Sequence, residues 1–142
     1  MMRALTIRQP YAAAIAHADK RIENRVWRTA YRGPLLIHAS LTPDRRPGRG
    51  VSAVVRGLQL DLGAVVAVAR LANCHPDDGA CSPWSLPGHY HHVLEDVTAL
   101  PLPVPWKGAQ GLWTPPDALL ARVCLQLDEA RVSRLLEQAE PC

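Results

Sequence analysis

Lys20, Glu23 and Arg25 fall within six residues of the stretch HADKRIENRVWR, which runs from His17 to Arg28. An ammonium, a carboxylate and a guanidinium so close together suit two kinds of work. The cations can bind phosphate while the carboxylate holds them in place or accepts a base N–H. The same three groups also describe an ordinary ion-pair network across a helix–strand corner, which is common in folded proteins. A third chemistry is open to them: Glu23 activating a water while Lys20 stabilises the developing oxyanion. Two adjacent cations favour the ionised glutamate, which suits recognition better than base work.

Other side chains extend this candidate site. Arg8, Arg28 and Arg32 lie near it in the chain and add phosphate-binding cations. Trp27 shares a strand face with Glu23 and Arg25, so it is expected to wall the cleft. His38 and Ser40 are placed on the next strand as hydrogen-bonding groups; a buried histidine satisfied by backbone is the equally ordinary reading of His38. Lys107, beside Gly108, is a candidate phosphate contact or a solvated loop lysine. Trp84 and Trp106 fall in loops, where exposed aromatics can stack on bases. Arg45, Arg46 and Arg49 form a basic loop able to grip a backbone non-specifically or simply to solubilise the surface.

Cys74, His75, Cys81, His89, His91 and His92 lie within nineteen residues, a density that can bind zinc. No C-x-x-C pair exists, however, and Cys74-x6-Cys81 is not a usual ligand spacing. The segment therefore reads as a polar loop entering a strand, and neither a metal nor a cofactor is expected.

The elements that must position these groups follow from periodicity. Arg3–Ile7 fits a first strand. Pro10 suits a helix start, and Tyr11, Ala14, Ile15 and Ala18 make one helical face, with an end expected near Asp19–Lys20. The period then changes to two: Ile22, Asn24 and Val26 on one side, Glu23, Arg25 and Trp27 on the other. The short link thus presents Lys20, Glu23 and Arg25 together at the mouth of the sheet. A turn at Tyr31–Pro34 leads to the strand Leu35–Ala39. A weaker helix is expected over Gly50–Leu60 and a buried strand over Gly63–Leu71. Two strands, His89–Asp96 and Thr98–Leu102, follow the turn-rich stretch Asn73–Gly88. Pro101, Pro103 and Pro105 keep the next segment extended and bar it from a sheet centre. Gly108 and Gly111 bracket a loop before Leu112–Trp113, and residues 116–138 are helical, in one or two pieces. This order predicts an α+β fold with a small, curled mixed sheet and helices at its margins.

With 142 residues and 48% apolar side chains, the chain suits one domain over 1–142, its core about 3–116 and a C-terminal helical extension over 116–138. Lacking Phe, its core must be aliphatic with a few Trp. No apolar run approaches the ~20 residues of a membrane helix, and Tyr11–Ala16 is too short for a secretory signal. A cytoplasmic protein with reduced thiols at Cys74, Cys81, Cys124 and Cys142 is expected. Net charge is +3, but residues 1–56 hold eleven basic against three acidic groups, and residues 57–142 five against ten. That asymmetry points to one face meant for a polyanion, unless the halves interleave in space.

The stretch ALTIRQPYAAAIAHADKRIENRVWRTAYRGPLLIHAS resembles the opening of an ASCH domain, of the PUA-like superfamily. Against that family's G-x-K-x-x-E-x-R signature, Lys20, Glu23 and Arg25 match, while Ala18 replaces the glycine. RQPYA, RGPLLIHAS and GAQGLW extend the likeness to the branch containing the ASCH domain of the activating signal cointegrator, over about Ala4 to Pro116. The resemblance implies a PUA-like β-barrel flanked by helices, a cleft beside the first helix, and RNA or DNA as ligand. Some relatives are hydrolases: one small bacterial group deacylates N4-acetylcytidine with a lysine, a threonine and a glutamate. Its lysine would correspond to Lys20, but its threonine falls at Glu23, so the alcohol is missing. Another relative has been described as a ribonuclease. The expected function is therefore a nucleic-acid-binding module. A hydrolase of a modified nucleoside or RNA, acting through Lys20 and Glu23, is the alternative, and a toxin-like or signalling module for a small nucleotide is a third class.

Overall fold

Alternation along the first strand sets up two layers. β1 (Arg3–Ile7) turns Leu5 and Ile7 toward one core and Ala4 toward another. The computed structural model describes residues 2–79 and 81–139; the expectation for Cys142 lies outside the described residues. After β1 come α1 (Tyr11–His17), β2 (Ile22–Arg25), β3 (Gly33–Ala39), α2 (Arg49–Val54) and β4 (Ala64–His75). β5 (Tyr90–Pro105), β6 (Leu112–Trp113), α3 (Asp117–Cys124) and α4 (Glu129–Ala139) complete the order.

The strands form one mixed sheet in the order β2-β5-β4-β3-β1-β6. Only β1 and β3 pair in parallel, as their crossover through α1 requires; the other pairs are antiparallel. Four positions separate β2 from β1, a span of about 19 Å in a flat sheet at the usual strand spacing. Yet the Arg25 guanidinium on β2 donates to the Thr6 carbonyl on β1 at 2.8 Å. The sheet must therefore curl, and it does so into a half-barrel, the α+β, PUA-like architecture expected from the sequence.

α1 packs on one face of this sheet. Its buried residues Ala12, Ala13, Ala14 and Ile15 are mostly small, which lets its backbone approach the strands closely. Ile15 joins Leu5, Ile7, Leu35, Ile37, Leu71 and Leu94 in an aliphatic core. A second core on the opposite face gathers Leu36, Val65, Val68 and Val104 with Leu119 and Val123 of α3 and Leu135 of α4. Among the described residues, no helix is long and apolar enough to cross a membrane.

Several boundaries differ from the sequence expectation. α1 stops at His17 rather than at Asp19–Lys20, because the Arg21 guanidinium takes up the carbonyls of Ile15 and Ala18, and that of Lys20, at 3.0–3.1 Å. α2 runs from Arg49 to Val54 rather than over the expected Gly50–Leu60, and Gly57, at φ +82°, bars its continuation. β4 runs past Leu71 to His75, where its rungs with β5 still hold. The two strands expected over His89–Leu102 are one, β5, with Asp96 at φ +51° absorbing the irregularity between them. Pro101, Pro103 and Pro105 lie in the half of β5 that pairs with β4 alone, since β2 reaches only Tyr90–Val93; the missing N–H groups thus fall on an open edge.

Candidate functional site

Lys20 follows the last turn of α1, where its amide donates to the Ala14 carbonyl at 3.3 Å. Ala18, in the glycine position of the signature, has φ −132°, extended backbone that any residue adopts. The substitution therefore leaves the turn intact. From there Lys20 is carried inward, and it is only 2% exposed. Its amine donates to the Ile22 carbonyl and lies 3.5 Å from Glu23 Oε1. On β2, Glu23 Oε2 accepts from Arg25 Nε at 3.1 Å and lies 3.0 Å from the terminal nitrogen that also reaches Thr6. One carboxylate thus bridges two cations. Burial pushes Lys20 below the ordinary lysine range, against the opposing pull of Glu23.

These groups line a cavity of about 1090 Å³, and they do not all stand at a mouth, as the strand periodicity suggested: Lys20 and Glu23 are buried, while Arg25 stays partly exposed. Aromatic rings surround the amine: Trp84 at 5.5 Å and Tyr11 at 5.7 Å from ring centroid to Nζ. Trp27 forms another part of the wall, backed by the His92 ring at 4.8 Å. Burial, partly offset by the Glu23 carboxylate, pulls His92 down to about 4, so that ring is neutral near pH 7. Arg8, Lys20 and Arg25 face Asp19, Glu23 and Asp44 in the lining, a balance of zero. The exposed Arg45, Arg46 and Arg49 lie on the adjoining segment, where Gly48 and Gly50 contribute to the rim.

Of the residues singled out from sequence, Arg8, Lys20, Glu23, Arg25, Trp27 and Ser40 line this cavity. Arg28, Arg32, His38 and Lys107 do not. Arg28 and Lys107 are exposed. Arg32 turns back onto the carbonyls of Thr29 at 2.9 Å and Tyr31 at 2.8 Å. His38 is buried on the far side of β3, because Leu35, Ile37 and Ala39 take the α1 face. There its Nε2 lies 2.7 Å from the Trp106 carbonyl and its Nδ1 3.3 Å from Thr6 Oγ1. Trp113 meets the same ring edge-on. Ser40 escapes that face because β3 has already ended at Ala39. Trp106 packs beside Arg122 and the second core, so of the two loop tryptophans only Trp84 reaches the cavity.

Tyr11, Asn24 and Asp44 belong to the site and were missed by sequence reasoning. Tyr11 reads as one apolar position of a helical face, although it sits in the RQPYA segment. Asn24 lies on the strand face opposite Glu23, yet its amide donates to the Trp84 carbonyl at 2.8 Å and its oxygen accepts from Leu86 N at 2.9 Å. It therefore fixes the loop that carries Trp84. Asp44 is brought in by a backbone bond to the Gln9 carbonyl at 2.8 Å.

The Cys–His segment also takes a definite shape. His75 and His91 are opposed on β4 and β5, and Cys81 returns from the connecting loop to join them. Cys74, His89 and His92 stand outside this trio.

No curated protein matches the chain. A family model, that of the ASCH domain, matches residues 5–98, from β1 into β5, a span containing every charged residue of the cavity lining. With well over half its length matched, and with lysine, glutamate and arginine of the signature converging in one cavity, the chain belongs to the ASCH domain family.

Proposed function

We propose that this chain is a nucleic-acid-recognition module that draws one unstacked base into the cavity. The observation that carries this reading is the Lys20–Glu23–Arg25 cluster, its lysine and glutamate buried, in the lining of an aromatic-walled hollow. A lining of balanced charge favours a neutral group over a phosphate at depth. Glu23 and Arg25 offer an acceptor and a donor for a base edge, and Trp84, Tyr11 and Trp27 offer rings to stack on it. The exposed arginines at 45, 46 and 49, with Arg8, supply cations for the phosphates on either side. Short single-stranded RNA and DNA, titrated at several salt concentrations, test this. Affinity falls with a slope set by the rim arginines, and Glu23→Gln weakens binding at every salt. Equal affinity for Glu23→Gln and the parent chain refutes the reading.

Hydrolysis of an acylated nucleoside in the same cavity is the second reading. It is favoured by a buried lysine whose pKa burial lowers, 3.5 Å from a carboxylate. Its mark is turnover of a small neutral N4-acylated cytidine that is insensitive to salt and abolished by Lys20→Ala.

A further inference from the structure

We propose that His75, Cys81 and His91 form a zinc site that clamps the loop carrying Trp84. One ring nitrogen from each histidine and the Cys81 sulfur all lie within 4.8 Å of one another. Tetrahedral zinc, with bonds near 2.0–2.1 Å to nitrogen and 2.3 Å to sulfur, sets neighbouring ligand atoms about 3.3–3.6 Å apart. The Cys81 Sγ to His91 Nδ1 distance is already 3.4 Å.

The partners of the far ring nitrogens point the same way. His91 Nε2 lies 2.9 Å from the Leu86 carbonyl, which can only accept, so Nε2 carries the proton. Nδ1, the nitrogen facing the sulfur, is left with its lone pair. His75 Nδ1 likewise donates to the Pro76 carbonyl at 2.9 Å, leaving its lone pair on Nε2. A ligating histidine ordinarily makes just this second bond, which orients the ring and fixes its tautomer.

The frame is rigid where it needs to be. His75 and His91 occupy one rung of the β4–β5 ladder, with ring centroids 5.2 Å apart. Asp77 braces the loop between them, accepting from Gly79 N at 3.1 Å and Gly88 N at 2.7 Å. Cys81 is exposed, so an ion enters directly from solvent and a water completes the tetrahedron. Two imidazoles and a thiolate also suit copper, but such copper sites take a weak axial ligand, commonly methionine. Met1 and Met2 are the sole methionines; Met2 is buried in the second core, and Met1 lies outside the described residues. On binding, the Cys81 S–H bond breaks, a zinc–sulfur bond forms and the proton passes to the buffer. The clamp would hold Pro83, Trp84 and Leu86 against the cavity.

Reduced, metal-stripped full chain is titrated with Zn²⁺ against a chromophoric chelator, and with Co²⁺ while the thiolate-to-cobalt charge-transfer absorption is followed. One equivalent per chain is expected, with the thiolate band present, one proton released and the melting temperature raised. Cys81→Ser, at an exposed position, removes the band and weakens zinc binding by about 100-fold or more. His75→Gln weakens it comparably, while Cys74→Ser and Cys124→Ser leave stoichiometry and band unchanged. Absence of uptake by the parent chain, or a thiolate band that survives Cys81→Ser, overturns the proposal.

Discussion

Replacing Glu23 by Gln keeps the shape of the buried cluster and removes its charge. The Lys20 side chain is 3% exposed and that of Glu23 11%, so the amine loses its counter-ion where water cannot replace it. Breaking a buried pair from one side costs about 3–5 kcal/mol. Here Arg25 keeps its bond to Thr6, and the loss falls mainly on Lys20. For a chain of this length, each kcal/mol shifts the melting temperature by about 3–4 °C, giving a drop of about 9–20 °C. The cost should also depend on pH. Burial lowers Lys20 in the folded state, so the unfolded chain binds more protons and folding gains stability as pH rises toward the ordinary lysine range. Glu23 opposes that lowering, so its loss steepens the dependence. Thermal unfolding of the parent, Glu23→Gln and the double variant Lys20→Met, Glu23→Leu at pH 7 and pH 9.5 reads all of this. Glu23→Gln should recover part of its loss at the higher pH, and the apolar double variant should recover most of it at both. A shift of less than ~3 °C for Glu23→Gln, or a double variant no better than the single, refutes the reasoning.

Removing the Trp84 ring takes away one stacking wall; Trp84→Ala should weaken oligonucleotide binding by about 5- to 150-fold, read by fluorescence anisotropy. Gly108→Ala should destabilise the fold by about 1–3 kcal/mol, measured by urea unfolding, because the new Cβ would sit 2.6 Å from His38 Cε1 and Thr6 Oγ1. Arg131 is buried and donates to the Asp96 carbonyl at 2.7 Å and Thr98 Oγ1 at 2.9 Å; Arg131→Met should release α4 and expose it to limited proteolysis. Burial raises the Asp96 carboxyl, but Arg134 and Arg131 outweigh it and hold it below the usual range. The stability this gives is present above the ordinary carboxylate pKa and disappears as pH falls through the lowered one, so Asp96→Asn should flatten the acid limb of the stability curve.

Much of the fold was legible from alternation and punctuation. The strand at Arg3–Ile7, the helix after Pro10, the switch to period two at Ile22 and the strand ending at Ala39 all stand, because each is set by local steric preference and a local apolar pattern. Of the site, the Lys20–Glu23–Arg25 trio was visible because its members are near in sequence. Their burial was not, since it depends on α2 and on the loop holding Trp84, which arrive from elsewhere in the chain. His38 shows the same limit: periodicity gave its face correctly, but not that Trp106, Gly108 and Trp113, rather than a cleft, lie beyond it.

By itself, then, the sequence determined the periods, the turn positions, the charge asymmetry and the signature that marks the family. Tertiary structure alone decided what those residues meet. Curling of the sheet brought β2 to β1, so that Arg25 reaches Thr6 across four strand positions. Pairing of β4 with β5 set His75 opposite His91, sixteen residues on, and the returning loop delivered Cys81. The physical reason is one of range. Backbone sterics and side-chain alternation act over a few residues and can be read along the chain, whereas register and curvature are set by burying both cores at once, which no local window contains.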